Sequence, residues 1–128
     1  MAFIKPQRNE PVLIKNTRNA FTSTTLQADL LALGVRRLII TGIQMEQCCE
    51  TTTRLAADLG YAVDFVTEGT MTFPIANPED TGKELGVEAI QERTEYALRG
   101  RFARIATVSQ LAGEIRVGKL ETLSAATV

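Results

Sequence analysis

"RRLIITGIQMEQCCETTTRLAADLGYAVDFVTEG", Arg36 to Gly69, decides the fold. It opens on a compact apolar run, Leu38-Ile39-Ile40, closed by Thr41-Gly42. A short run rich in branched side chains predicts a strand buried on both faces. The section from Glu46 to Gly60 sets Cys48, Thr52, Leu55, Ala56 and Leu59 along one side and stops at glycine. That spacing predicts a helix. Tyr61 to Gly69 then alternates, with Val63 and Phe65 set against Ala62 and Asp64. Alternation is the two-residue period of a strand. Strand, helix and strand in so short a length argue for parallel pairing with a helical crossover.

The flanking sequence continues the pattern. Pro11 to Lys15 reads as a short strand. Thr22 to Gly34 offers Ser and Thr caps, then Leu26, Leu30 and Leu33 at helical spacing, then a glycine stop. Between Gly69 and Gly86 the chain reads as a loop, and Gly86 to Gly100 then places Val87, Ile90, Thr94, Ala97 and Leu98 near a 3.6-residue period. Phe102 to Ser109 reads as another strand, with Ser109 able to cap a short last helix. Beyond Arg116 the periodicity is weak. The expectation is one α/β domain over residues 1–128, a mostly parallel sheet with helices on both faces. Ligands of such sheets bind outside the carboxyl ends of the strands. Lys15, Gly42 with the residues just after it, and Glu68 occupy those ends.

Bulk composition narrows the function. The chain has 128 residues, 45% hydrophobic and 23% charged, with net charge -1. There is no basic excess to neutralise phosphates, so a nucleic-acid partner is not expected. No apolar run approaches the ~20 residues of a membrane span, and the N-terminus lacks the apolar stretch of a secretory signal. Two adjacent cysteines make no disulfide framework, which points to a reducing cytoplasm. Histidine is absent. That excludes Cys-His and Ser-His pairs within one chain, and two cysteines alone cannot close a zinc site. No metal and no cofactor are expected. Acid and base must come from Asp, Glu, Lys, Tyr or a thiol.

Cys48 and Cys49 admit three readings. Both could be small core hydrophobes, since free cysteine is often buried. They could form a strained vicinal redox pair. Or one could be a nucleophile, because the first turn of a helix offers free N–H groups and the positive end of the dipole, which favour thiolate over thiol. Successive helical residues point about 100° apart, so only one of the two faces a cleft. Lys15 reads as a solvated edge charge on its own, and gains interest by falling on the same rim as Cys48.

The chain resembles the isochorismatase-like cysteine hydrolases. The resemblance rests on Lys15, Ala20-Phe21, Thr25-Leu26, Leu33-Gly34-Val35, Thr41-Gly42, Cys48 and Gly60-Tyr61, and extends through Arg101–Leu111. It implies a flavodoxin-like three-layer α/β/α fold, Cys48 as nucleophile and Lys15 as its cationic partner. It also implies an oxyanion hole in the backbone after Gly42, at Ile43 and Gln44, with a cis peptide between those two. Cys49 is then core. Phe21, Met45 and Phe73 would supply apolar walls for a small-molecule substrate, an amide, a carbamoyl compound or an isochorismate-type vinyl ether.

The match departs from the family at the start. Members begin with a strand carrying an Asp that serves as base, and this sequence opens after that element. The expected consequences are an open central strand edge, hence a homo-oligomer, and impaired hydrolysis unless another group takes the proton. Glu46, Glu50 and Glu68 are the candidate carboxylates. The alternative is a non-catalytic remnant that self-assembles or pairs with a full-length relative.

Overall fold

Ile40, Val63 and Phe65 are the side chains around which the chain closes. The computed structural model describes residues 5–118. Its elements are α1 (Leu26–Ala32), β1 (Arg37–Ile43), a π-helical turn (Met45–Cys49), α2 (Glu50–Asp58), β2 (Ala62–Met71), β3 (Ile75–Asn77), β4 (Asp80–Leu85), α3 (Val87–Leu98), β5 (Arg104–Ile105) and α4 (Val108–Arg116). The weakly periodic tail beyond Gly118 lies outside the described residues.

The sheet runs β1-β2-β5, all parallel, so the α/β reading with a parallel sheet holds. Leu38 pairs with Val63 and Ile40 with Phe65. On their side α1, α2 and α3 close a single apolar core, in which Leu26, Leu30, Ala56 and Leu98 meet Ile40, Val63 and Phe65. The opposite side carries Asp64 and a small cluster of Val66, Ala106 and Leu111 beneath α4. Helices on both faces make three layers.

Between Ile40 and Gly42 the register jumps from Phe65 to Thr70, so residues 66–69 bulge out of β2. Gly69 sits there because a Cβ would lie 2.9 Å from Thr41 Cγ2. The bulge brings the two strands back together at Ile43 and Met71, where the site begins.

Four expectations change. β1 is not buried on both faces: only Ile40 is enclosed, while Ile39 is 43% and Ile43 50% exposed. The cause is its place at the sheet edge, with α4 covering little of the second face. Pro11 to Lys15 forms no strand of the sheet. It alternates like one, Leu13 packing on the core while Val12 and Ile14 face out, but only Val12 carries a bridge. The segment expected to loop between β2 and α3 holds the β3–β4 hairpin, turned by Pro78-Glu79 and exposed along most of its length. The strand expected over Phe102 to Ser109 is only Arg104–Ile105, and the last helix starts inside that stretch, capped by Thr107 rather than Ser109.

Candidate active site

The end of β1 is shaped by backbone. Gly42 adopts φ 128°, a region L side chains rarely enter, and the following Ile43–Gln44 peptide is cis. Gln44 is extended and opens the π-turn. Its carbonyl accepts from the amides of Gln47 at 3.2 Å and Cys49 at 3.1 Å. The second bond spans five residues, the π spacing. The Gln44 side chain repeats the link, its Oε1 accepting from Gln47 Nε2 at 2.6 Å. Cys48 is thereby carried between the end of the strand and the start of α2.

The two thiols have different surroundings. Cys49 is 5% exposed and belongs to the main core. Burial above all, then the negative charges of Cys48 and Glu46, push its thiol up to about 12, with Lys15 opposing. Cys48 is half-buried. Both thiols are free, so the vicinal disulfide is not formed.

Lys15 reaches the sulfur from a loop that is itself built. Thr17 Oγ1 donates to the Asn19 carbonyl at 2.7 Å, and Asn19 Oδ1 accepts from the Phe21 amide at 2.9 Å. The Ala20 amide donates to Thr52 Oγ1 at 3.1 Å, fastening the loop to α2. Lys15 Nζ then donates to the Thr17 carbonyl at 3.0 Å and to Cys48 Sγ at 3.4 Å. Among the described residues no carboxylate forms an ion pair with Lys15 or a hydrogen bond with Sγ.

The three candidate carboxylates separate. Glu50 is 5% exposed and engaged by Arg54 at 2.9 Å and by Arg93. Glu68 accepts from the Val108 amide at the start of α4. Glu46 Oε2 accepts from Thr72 Oγ1 at 2.5 Å, and its Oε1 is buried with no partner among the described residues. Residues two apart on a helical turn do not face each other, so Glu46 is turned from Cys48 toward the end of β2.

The expected walls divide as well. Phe21 stacks on Tyr61 at 6.0 Å within the core, and Met45 is 2% exposed, so both support the loops from beneath. Phe73 is 51% exposed, beside Thr72 at the rim. Sequence reading missed Thr52, which anchors the Lys15 loop, and the Arg18–Gln47–Gln44 chain of side-chain bonds. The three-residue spacing of Gln44 and Gln47 was the available signal for the last pair. Among the described residues no three His, Cys, Asp or Glu side chains cluster as metal ligands would.

The isochorismatase domain family model matches residues 3–111. The chain belongs to the isochorismatase family. Nicotinamidase 3 of Arabidopsis thaliana is 46% identical over 59 residues, covering 46% of this chain and 30% of that protein. The ureidoacrylate amidohydrolase of Variovorax paradoxus is 33% identical over 108 residues, 84% of this chain and 38% of that one. Among solved structures, an isochorismatase from Pseudomonas putida superposes with TM-score 0.79 at 27% identity, covering 85% of this chain and 55% of that chain. A cysteine hydrolase from Pseudomonas syringae gives TM-score 0.83 at 20% identity, over 91% and 54%, which speaks for the fold alone. This isochorismatase-family chain thus spans between about a third and just over half of the curated relatives it matches. No helix among its described residues is long and apolar enough to cross a membrane.

Proposed function

We propose that this chain hydrolyses a small amide or carbamoyl compound through the Cys48 sulfur. The observation that carries the reading is the 3.4 Å approach of Lys15 Nζ to Sγ at the carboxyl end of β1. An ammonium there stabilises negative charge on sulfur and on the atoms it attacks. The sulfur bonds to the carbonyl carbon, and the carbonyl's π electrons move onto oxygen. Backbone N–H groups after Gly42 are suited to receive that oxyanion. Collapse breaks the carbon–nitrogen bond; the proton the thiol gave up to water is returned by water to the leaving nitrogen, and a thioester remains. Water then cleaves the thioester to the acid and restores the thiol. Free thiols in this role fit a reducing, cytoplasmic setting.

Release of ammonia from nicotinamide and from ureidoacrylate tests the reading, with the chain beside its Cys48→Ala and Cys49→Ala variants. Loss of a covalent nucleophile lowers turnover by about a thousandfold or more, whereas Cys49→Ala affects stability first. Equal turnover by the chain and its Cys48→Ala variant would sink the proposal.

A second reading has its own observation. The outer side of β1 carries no strand among the described residues, and Ile39 and Ile43 are exposed along it. An open edge with apolar side chains accepts another chain. On this reading the chain is a non-catalytic homo-oligomer, or a partner of a longer relative. The same assay separates the two, since this form gives no turnover alone with either cysteine in place.

A further inference from the structure

We infer that Thr52 is a positioning residue that sets the reactivity of Cys48 by holding Lys15 against its sulfur. The inference rests on the hydrolase reading above and deepens it. Lys15 Nζ lies 3.4 Å from Cys48 Sγ, and among the described residues its other bond is to the Thr17 carbonyl at 3.0 Å, inside its own loop. A lysine stem is flexible, so the ammonium is placed only as well as the backbone that carries it. That backbone is tied into one unit: Thr17 Oγ1 donates to the Asn19 carbonyl at 2.7 Å, and the Asn16 amide donates to Ser23 Oγ at 3.1 Å. Both bonds are internal to the loop, so neither relates it to the sulfur.

Among the described residues three side-chain bonds join this loop to the Cys48 turn and α2. One is the Lys15–Cys48 contact itself, and one is the exposed bond from Arg18 to Gln47. The third, from the Ala20 amide to Thr52 Oγ1 at 3.1 Å, is buried, with both residues 2% exposed. Ala20 and Phe21 also pack on the core, but apolar contact is non-directional and does not choose between neighbouring positions. A hydrogen bond does choose, because it weakens steeply with angle and its loss leaves a buried amide without an acceptor. Cys48 and Thr52 are four residues apart, one helical turn, so sulfur and acceptor are carried by one stiff piece. Thr52, Ala20, the loop, Lys15 and Cys48 therefore close a ring. The neighbouring Thr53 shows that such a bond is not general here: its Oγ1 is buried with no partner among the described residues.

A double-mutant cycle on alkylation of Cys48 by iodoacetamide tests this. The sulfur anion bonds to the CH₂ carbon and iodide leaves, and fragment mass spectrometry separates label on Cys48 from label on Cys49. Thr52→Val keeps the shape of the side chain and removes the acceptor. It should slow Cys48 about threefold, against about fivefold for Lys15→Met, the scale of one unit charge a few ångströms away in water-like surroundings. Thr52→Ser, which keeps the oxygen, should restore the rate. In the Lys15→Met background Thr52→Val should slow Cys48 no further, a coupling that a merely structural role would not give. A rate unchanged in Thr52→Val, or lowered equally with and without Lys15, overturns the proposal. So does labelling of Cys49 in step with Cys48 in Thr52→Val, which would show loss of the fold rather than of one position. Alkylation reads the sulfur and ammonia release reads turnover, so an intact cycle without turnover would sink the hydrolase reading alone.

Discussion

Asp64 and Phe65 are neighbours on β2, both closed off from solvent, and they point to opposite sides of the sheet. Phe65 enters the core shared by α1, α2 and α3. Asp64 enters a set of charges, its two oxygens taken by Arg37 at 2.6 Å and Arg104 at 2.5 Å, while Glu114 of α4 binds Arg104 at 2.6 Å. One face is held by removal of apolar surface from water, which is indifferent to pH. The other is held by ions and by a small apolar cluster, so its strength depends on conditions. The Cys48 turn belongs to the first face, because Met45 and Cys49 on either side of it are buried in the main core. The site is therefore expected to keep its shape under conditions that loosen the second face.

The sharpest way to break that contrast is to strip each face in turn. Phe65→Ala empties the centre of the apolar face and should cost about 4 kcal/mol in urea unfolding, with little dependence on pH. Asp64→Asn should cost about 2 kcal/mol, below the usual range for a broken buried pair because both guanidiniums reach solvent. Its loss should vary with pH. Burial alone would raise the Asp64 carboxyl, but the hydrogen bonds and charges of Arg37 and Arg104 outweigh it and hold the carboxyl below the ordinary range. A lowered folded-state value means the contribution is present above the unfolded value, near about 3.9, and fades as pH falls through the folded one. Unfolding curves of the chain should weaken below about pH 4, and those of Asp64→Asn should be flatter there. A Phe65→Ala loss as steep in acid as the Asp64 contribution would show that the two faces are not separate supports.

The same contrast explains what the sequence made legible. The apolar face was readable because Ile40, Val63, Phe65, Ala56 and Leu98 repeat at strand or helix periods, and period is a local property. Cys48 and Lys15 were placed on one rim by the strand pattern and given their roles by the family resemblance, whereas the loop joining them depends on bonds such as Ala20 to Thr52 that no spacing encodes. The β3–β4 hairpin was missed because Ile75 to Leu85 shows no alternation against a core; it is held by backbone pairing, by the Pro78-Glu79 turn and by local side-chain bonds such as Asn77 Oδ1 to the Glu79 amide. The Pro11 to Lys15 strand was over-read, since alternation reports which side chains face inward, whereas a strand needs a partner for its backbone. Arg104 gave no hint of its tie to Asp64, forty residues away in sequence.

The smallest change tests how α4 stays on the weaker face. Only Leu111 of its nine residues is buried, so packing alone gives this helix little hold. Its N-terminus is closed by a capping box: Thr107 Oγ1 accepts from the Gln110 amide at 3.1 Å, and Gln110 Oε1 accepts from the Thr107 amide at 2.9 Å. Glu68 takes the next free amide, that of Val108. Three N–H groups that the helix cannot satisfy internally are thus met by side chains, two of them within the cap and one reached from β2. Thr107→Ala should therefore cost about 1 kcal/mol. Thr107→Ser, which keeps the oxygen, should recover most of it. The decisive readout is amide exchange: protection should fall across residues 108–116 and remain unchanged along α2. Unaltered protection in α4 would mean that Leu111 in its pocket of Val66 and Ala106 is enough to hold the helix, and that the second face is more apolar in its energetics than its charges suggest.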